Sequence, residues 1–335
     1  MTKEEIKALI GTMKKQTSQD VSLIETHISW VILEGSSVYK IKKPMQYSFL
    51  DYSTPEKRRY CCYKELILNR RIAREVYLEV VPVCVKNDSY YIQAKEGVII
   101  DYAVKMKRLD QDKLMNHLLR KNEVAHHQII TLAEKIARFH HNADIIVDAF
   151  AWRSFDEKFA DLGGIREFVT KHLDGHCQAV VEKAIKKSTE FLQSHANLLN
   201  MRVREGFQRD VHGDLHAKNI FLYDDPVIFD CIEFSDDHRQ MDLLNELAFC
   251  CMDLEANERH DFSKLLLETY LKHLPAIRDE EEMKLFIYFK AYRANVRAKV
   301  NALRAKQEKQ PGPLKKITEA VDKYLRLMDY YLNQV

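Results

Sequence analysis

The segment between Val211 and Phe234 concentrates side chains that can accept protons or bind metal ions. Within it, His212, Asp214 and Asn219 are spaced as H-x-D-x-x-x-x-N, which matches the catalytic loop of phosphoryl-transfer enzymes. In such loops the aspartate accepts the proton of the attacking hydroxyl, and the asparagine binds a magnesium ion. The pattern therefore predicts Asp214 as a catalytic base and Asn219 as a metal ligand.

Asp230 is the second candidate metal ligand. It lies in an apolar run, where an ionised carboxylate is costly unless a cation or hydrogen bonds compensate it. The runs Asn219–Leu222 and Val227–Phe234 flank a turn signal, so we expect a β-hairpin that brings Asn219 and Asp230 together. The alternative is that Asp230 pairs with an arginine or lysine and that His-Gly-Asp is a tight turn.

A lysine that reaches nucleotide phosphates is predicted on an early strand. Ser29–Glu34 and Val38–Lys42 are typical of two strands joined by a turn, and alternation places Val38, Lys40 and Lys42 on one face. The pattern Val-x-Lys is typical of the strand that lines a kinase nucleotide pocket. Lys40 is therefore the first candidate and Lys42 the second, unless both lie on the solvated face of an edge strand.

A helix follows these strands. Ser53 is its predicted N-cap, with Pro55 in the first turn and Glu56 completing a capping box, and the helix extends to about Ala73.

One glutamate of this helix is predicted to point inward. The apolar stripe of the helix consists of Cys61, Glu65, Leu68 and Ile72. A buried glutamate requires a cation. Lys40 is the candidate because a strand lysine and a helix glutamate form an ion pair in kinases, whereas Arg58 or Asn69 would be local alternatives.

Further strands are expected before a helical region begins. They cover Val80–Val85, Tyr90–Gln93 and Val98–Met106. Residues 1–106 therefore form a predicted nucleotide-binding lobe, and 107–335 a catalytic and substrate-binding lobe. Met106 to Leu109 would connect the lobes, with backbone groups of Met106 and Arg108 near the nucleotide base.

Two pairs of basic residues in the helical region are ambiguous. His140 and His141 are adjacent on a helix and point in different directions, which favours core or cap roles over metal binding. Arg293 and Arg297 are one helical turn apart, and they either clamp an anionic substrate or are solvated or salt-bridged.

Composition excludes several classes of protein. The 335 residues carry a formal net charge of +2, which favours neither nucleic acid nor an anionic membrane as a partner. The seven cysteines are odd in number and include two adjacent pairs and no C-x-x-C, which indicates reduced thiols in a cytoplasmic protein and argues against a structural zinc site. The N-terminus lacks an apolar signal segment, and no run is long and apolar enough to span a membrane.

With these residues in place, the chain resembles the aminoglycoside phosphotransferase-like, or choline-kinase-like, branch of the protein kinase superfamily. The likeness rests on His-Gly-Asp-Leu-His-x-x-Asn, the later aspartate, and the strand lysine with its inward glutamate. It extends to an uncharacterised bacterial group recognisable by Glu25–Trp30, Val38–Pro44, Phe229–Phe234 and Tyr292–Lys299.

The resemblance implies an α+β, bilobal protein-kinase-like fold. Its small lobe would be an antiparallel sheet plus one helix, and its larger, mainly helical lobe would carry the catalytic hairpin. It implies ATP or GTP with magnesium as cofactors, Lys40 and Glu65 at the phosphates, and Asp242 as the acid that braces the catalytic loop. The roles of Asp214, Asn219 and Asp230 are as predicted above.

The chain departs from this branch in three ways. It has no glycine-rich loop, so any phosphate cover would come from Thr26, His27 or Ser29. Glu233 lies three residues after Asp230, where many relatives have an acid two residues after, so Glu233 has no predicted function. Members of the group are often fused to a P-loop ATPase, whose G-x-x-x-x-G-K-[ST] motif is missing here, which makes a separate P-loop ATPase a candidate partner.

The acceptor is predicted to be small. Only twelve positions separate Asp230 from Asp242, which leaves little room for a peptide-docking activation segment. We therefore expect a phosphotransferase that acts on a hydroxyl or amine of a metabolite or antibiotic-like compound. The alternatives are a nucleotide-binding regulatory module without significant turnover and a nucleotidyl transferase.

Overall fold

The computed structural model describes residues 1–47, 50–94, 96–308 and 310–335. The chain divides into two compact units. The first unit contains Met1–Lys121, His212–Asp214 and Lys218–Arg239, and the second contains Asn122–Val211, Leu215–Ala217 and Gln240–Val335. The first unit therefore extends past residue 106 and includes the hairpin, which the sequence had placed with the helical lobe.

The elements follow one another in a strand-rich part and then a helix-rich part. Up to residue 121 they are α1 (Lys3–Gln16), β1 (Val21–Glu25), β2 (Ser29–Glu34), β3 (Ser37–Lys42), β4 (Gln46–Tyr47), β5 (Leu50–Asp51), α2 (Pro55–Asn69), β6 (Tyr77–Lys86), β7 (Ser89–Ile92), β8 (Val98–Lys107) and α3 (Met115–Lys121). The later elements are α4 (His126–Asn142), α5 (Trp152–Ala160), α6 (Arg166–His172), α7 (Gly175–Arg204), β9 (Gln208–Asp210), β10 (Ile220–Phe221), β11 (Val227–Ile228), β12 (Gln240–Asp242), α8 (Leu243–Ala256), α9 (His260–His273), α10 (Glu280–Gln307) and α11 (Pro311–Leu332).

The first unit is built on an antiparallel sheet of six strands in the order β1-β2-β3-β8-β6-β7. Side chains on one face, including Tyr39 and Ile41, pack with α1, whereas Val38 on the other face packs with residues of α2. The predicted alternation in β3 is therefore confirmed. Because β3 lies between β2 and β8, the edge-strand alternative for Lys40 and Lys42 is wrong.

Helix α2 begins one residue later than predicted. Its N-cap is Thr54, whose Oγ1 accepts the N–H of Lys57 at 3.3 Å, whereas Ser53 Oγ donates to Asp51 Oδ1 at 2.6 Å. The prediction of Ser53 as N-cap was wrong because Pro55 occupies the first helical position, which makes its immediate predecessor the cap.

The same helix also ends early. Its regular part stops at Asn69, after which Arg71 N–H donates to Leu68 O and Ile72 N–H donates to Asn69 O. These contacts span three residues, so the last turn tightens before the predicted end at Ala73.

The predicted hairpin is present, with shorter strands than expected. Ile220 pairs with Ile228 and Phe221 with Val227, and Phe229 N–H donates to Asn219 O at 3.0 Å. The side chains of Val227 and Phe229 pack against the apolar cluster that contains Val38 and Met106. This packing explains why the hairpin belongs to the first unit.

The second unit is mainly helical, with a short β9–β12 pair. His140 is buried and contacts Glu246 Oε2 and Tyr270 OH, each at 2.8 Å, whereas His141 is exposed. The prediction that His140 is a core group is confirmed. Among the described residues, none of the helices combines the length and apolar character needed to cross a bilayer.

The two arginines of α10 lie within the same unit. Arg293 is buried, and its Nε donates to Asn245 Oδ1 at 2.7 Å. The guanidinium of Arg297 is 5.5 Å from the ring centre of Tyr324.

Candidate active site

Lys40 is the centre of the candidate site. Its Nζ donates to Glu65 Oε1 at 2.8 Å and to Asp230 Oδ1 at 2.5 Å. Burial lowers the pKa of Lys40, but the carboxylates of Asp230 and Glu65 outweigh it and hold that pKa well above its ordinary value. The predicted Lys40–Glu65 pair is therefore present, and its lysine also contacts a predicted metal ligand.

Glu65 is fully buried, and its carboxylate accepts hydrogen bonds from two lysines. Its second oxygen, Oε2, accepts from Lys42 Nζ at 2.7 Å. Burial raises the pKa of Glu65, but Lys40 and Lys42 together lower it to about 2. Neither local alternative binds the Glu65 carboxylate. Arg58 Nε donates to Asp101 Oδ1 at 2.9 Å, and Asn69 Nδ2 donates to the backbone carbonyl of Glu65 at 2.9 Å.

Glu233, which had no predicted role, accepts from Lys42 Nζ and from Tyr52 OH. Burial lowers the pKa of Lys42, but Glu233 and Glu65 raise it well above the ordinary value, so Lys42 stays charged. Tyr52 was missed by sequence reasoning. For Glu233 the sequence did carry a signal, since this acid, like Asp230, lies in an apolar run.

In the predicted catalytic loop, the side chains of Asp214 and Asn219 contact each other. Asn219 Nδ2 donates to Asp214 Oδ2 at 2.9 Å and to the Asp214 carbonyl at 3.0 Å. Because the amide nitrogen faces two acceptors, the Oδ1 atom of Asn219 is directed elsewhere, as a metal ligand requires.

His212 and Gly213 shape this loop. His212 Nε2 donates to the Phe229 carbonyl at 2.9 Å, and His212 Nδ1 accepts the N–H of Asp214 at 3.3 Å, which places the imidazole proton on Nε2. Gly213 has a φ of +88°, and a Cβ there would lie 2.7 Å from the carbonyl oxygen of His238. The glycine is therefore required by both conformation and space.

Asp230 lies at a bend after β11, with a φ of +66°, and its N–H donates to Tyr77 OH at 3.0 Å. Its side chain is 41% exposed. The carboxylate is thus only partly buried, and Lys40 compensates its charge, which is the pairing with a lysine that the alternative interpretation of Asp230 predicted.

The oxygen atoms near this bend are suitable ligands for a hard divalent cation. Asp230 offers carboxylate oxygens and Asn219 an amide oxygen, which are ligands that magnesium prefers. The backbone N–H of Phe229, the residue before Asp230, donates to the carbonyl of Asn219, so the two candidate ligands are on adjacent backbone segments.

The remaining predicted nucleotide contacts are Ser29 and Met106 on the same sheet and Arg108 directly after its strand β8. Ser29 is fully buried opposite Lys42 in the β2–β3 register, and its N–H donates to Thr26 Oγ1 at 2.9 Å. Met106 packs in the apolar cluster, and the backbone N–H of Arg108 donates to Ser36 O at 2.8 Å.

Two residues of the phosphate cover that the resemblance implies, Thr26 and His27, lie between β1 and β2. Thr26 and His27 are exposed there, and Thr26 Oγ1 also donates to the Ser29 carbonyl at 3.0 Å.

The predicted brace of the loop, Asp242, contacts Arg202 and the start of α8, whereas a second acid, Asp253, contacts a residue of the loop sequence. Asp242 caps α8 and accepts from Arg202 Nε at 2.7 Å and Nη2 at 2.9 Å. Asp253 Oδ2 accepts the N–H of Ala217 at 3.0 Å. Sequence reasoning missed Asp253, although an acid inside the apolar helix α8 was a signal.

A family model described as the phosphotransferase enzyme family matches residues 69–286. The matched range includes Asp214, Asn219 and Asp230 and begins after Lys40 and Glu65. An uncharacterised protein of Mycobacterium tuberculosis is 31% identical over 300 residues, which cover 86% of this chain and 56% of that protein. An uncharacterised protein of Mycobacterium bovis matches with the same values, so this chain spans a little over half the length of these relatives.

Solved structures match across nearly the whole chain. A GDP complex of an aminoglycoside 2'-phosphotransferase has a TM-score of 0.56 at 13% identity, covering 99% of this chain and 98% of that one. A choline/ethanolamine kinase family protein from Mesorhizobium loti has a TM-score of 0.53 at 12% identity, covering 98% and 100%. At these identities the likeness is one of fold, and it confirms the predicted α+β, protein-kinase-like class.

Proposed function

The chain belongs to the phosphotransferase enzyme family, and from that premise we propose that it transfers the γ-phosphate of ATP or GTP to a small molecule. The observation that carries the proposal is the position of Lys40, whose ammonium contacts both Glu65 and Asp230. A lysine held by a helix glutamate beside a metal-binding aspartate is the arrangement that phosphoryl transfer uses at the nucleotide phosphates.

Asp230 and Asn219 would hold magnesium in this proposal. The ion would supply positive charge that offsets the negative charge developing on the phosphoryl group during transfer. Lys40 would orient the same phosphates, while Glu65 keeps the lysine charged and correctly directed.

Asp214 is the proposed general base. Its carboxylate is fixed by Asn219 Nδ2, and the loop conformation is set by the hydrogen bonds of His212. From this position Asp214 would accept the proton of the attacking hydroxyl or amine as the new bond to the γ-phosphorus forms. The bond from that phosphorus to the β–γ bridging oxygen would break, and the nucleoside diphosphate would leave.

The nucleotide base would lie on an apolar face of the first unit. Val38, Val104 and Met106 provide buried apolar surface there, and Phe229 packs against them. We retain Met106, Arg108 and Ser29 as proposed nucleotide contacts.

The acceptor is proposed to be a small hydroxyl or amine compound, because the described residues 231–239 contain neither helix nor strand that could form a peptide platform. The solved relatives named for aminoglycosides and for choline or ethanolamine suggest amino alcohols and amino sugars as a first panel. A separate P-loop ATPase remains a proposed partner.

Mass spectrometry of products tests the reaction. The protein would be incubated with MgATP or MgGTP and the acceptor panel, with a chelator control. A phosphate mass increment that requires magnesium is expected. A nucleoside monophosphate increment would instead favour nucleotidyl transfer, and nucleotide binding without any product across a broad panel would favour the regulatory module.

A further inference from the structure

Three buried side chains outside the predicted catalytic set meet in one cluster. Lys42 and Tyr52 are fully buried, and Glu233 is 4% exposed. Lys42 donates to Glu233 and lies 3.3 Å from Tyr52 OH, which itself donates to Glu233. Burial raises the pKa of the Tyr52 hydroxyl above its ordinary value, so this hydroxyl stays a donor.

This cluster fixes the orientation of Glu65. Lys42 binds Oε2 of Glu65 at 2.7 Å, while Lys40 binds Oε1 at 2.8 Å. A carboxylate held at one oxygen can rotate, whereas a carboxylate held at both cannot do so without losing a charge-assisted hydrogen bond. Lys42 therefore keeps the Oε1 atom of Glu65 directed at Lys40.

The cluster also connects helix α2 to the segment that follows Asp230. Glu233 belongs to that segment and reaches Glu65 of α2 through Lys42. One turn further along α2, Asn69 Oδ1 accepts the N–H of Cys231 at 2.9 Å. At the other side of Glu65, Lys64 Nζ donates to Asp236 Oδ1 at 2.8 Å. Three positions along α2 are thus connected to three positions of the segment, which follow one another in the opposite order.

Stability alone does not explain this cluster. Buried ion pairs are costly to desolvate, and apolar side chains of similar volume often give equal or greater stability. Charged groups at these positions are instead consistent with a role in fixing the orientation of Glu65 and of the segment after Asp230.

We propose that Lys42, Glu233 and Tyr52 are positioning residues that hold Glu65 and the Asp230 segment in the arrangement that binds the nucleotide and its metal. This inference rests on the proposed function. It assigns Lys42 a role distinct from that of Lys40, because Lys42 acts through Glu65 and Lys40 acts on the phosphates.

Calorimetric binding of MgATP and MgGTP to the full chain tests the proposal. Glu233→Gln is expected to raise the Kd of the preferred nucleotide roughly 10-fold to 100-fold, as is typical when a group that orients a ligand-binding residue is removed. Glu255→Gln is the matched control, since it breaks another largely buried ion pair, between Glu255 and Lys290, and both residues belong to the second unit. It should lower the Tm and leave the Kd unchanged.

A double variant, Lys42→Met with Glu233→Met, separates positioning from folding. Because it removes both charges together, we expect its Tm to exceed that of Glu233→Gln, while its Kd stays raised. A native Kd in either variant would overturn the positioning role. Failure of the unmodified protein to bind MgATP or MgGTP would instead overturn the proposed function itself.

Discussion

At the scale of single residues, the candidate site depends on one glutamate that two lysines share. Lys40 and Lys42 lie two positions apart on β3, and each takes one oxygen of Glu65. Strand alternation was sufficient to predict that both lysines share a face. It could not show that they share a glutamate, because that depends on the position of α2 relative to the sheet.

The shared glutamate makes stability depend on pH. The pKa of Glu65 is lowered from 4.5 to about 2, so the folded state binds this proton less readily than the unfolded state. The contribution of the Glu65 carboxylate to the free energy of unfolding is therefore fully present above its pKa in the unfolded state. This contribution is lost as pH falls from 4.5 toward 2. We expect a loss on the order of 3 kcal/mol across this window from this group.

Urea unfolding of the unmodified protein and of Glu65→Gln between about pH 6 and pH 3 measures this dependence. The stability difference between them should shrink as pH falls. Glu190→Gln, at an exposed position, is the control and should show no such trend. A difference that is constant with pH would contradict the prediction.

Gly213 is expected to tolerate no side chain. Gly213→Ala should lower the free energy of unfolding by roughly 1 to 3 kcal/mol, because φ is +88° and the new Cβ would meet the His238 carbonyl. Gly11→Ala in α1 is the matched control, since a Cβ there meets nothing within 4 Å. Denaturant unfolding of both variants is the measurement, and equal effects would refute the argument from backbone geometry.

At the scale of elements, sequence patterns located strands and helices better than their ends. The alternation of β3 and the inward glutamate of α2 were both predicted, since each follows from the period of a regular element. The N-cap of α2 was predicted one residue too early because Ser53 and Thr54 both carry a hydroxyl that could cap the helix. The hairpin strands were predicted too long because the bend at Asp230 needs a positive φ that an apolar run does not reveal.

The cap of α2 can be tested directly. Thr54→Ala should lower the free energy of unfolding by about 1 kcal/mol, since it removes the acceptor of the Lys57 N–H. Ser53→Ala removes only exposed contacts, to Asp51 and to Lys57 Nζ, and should cost less than half as much. Thermal and denaturant unfolding of the two variants would show the order, and a larger loss for Ser53→Ala would contradict the assignment.

At the scale of the whole molecule, the least predictable contacts join distant parts of the chain. Lys42 and Glu233 are 191 positions apart, and their contact depends on the path of the chain after Asp230. The motif of the catalytic loop was readable because its residues are close in sequence. Asp253 was missed for the opposite reason, since its partner Ala217 is 36 positions away.

The role of Asp214 as catalytic base can be tested with a single substitution. Asp214→Asn keeps an oxygen that can accept from Asn219 Nδ2 but removes the group that takes the proton. For an acceptor identified by mass spectrometry, kcat should fall roughly 100-fold to 10,000-fold. The Kd of MgATP or MgGTP should stay within about twofold of the native value. Turnover by Asp214→Asn at the native rate would contradict the account.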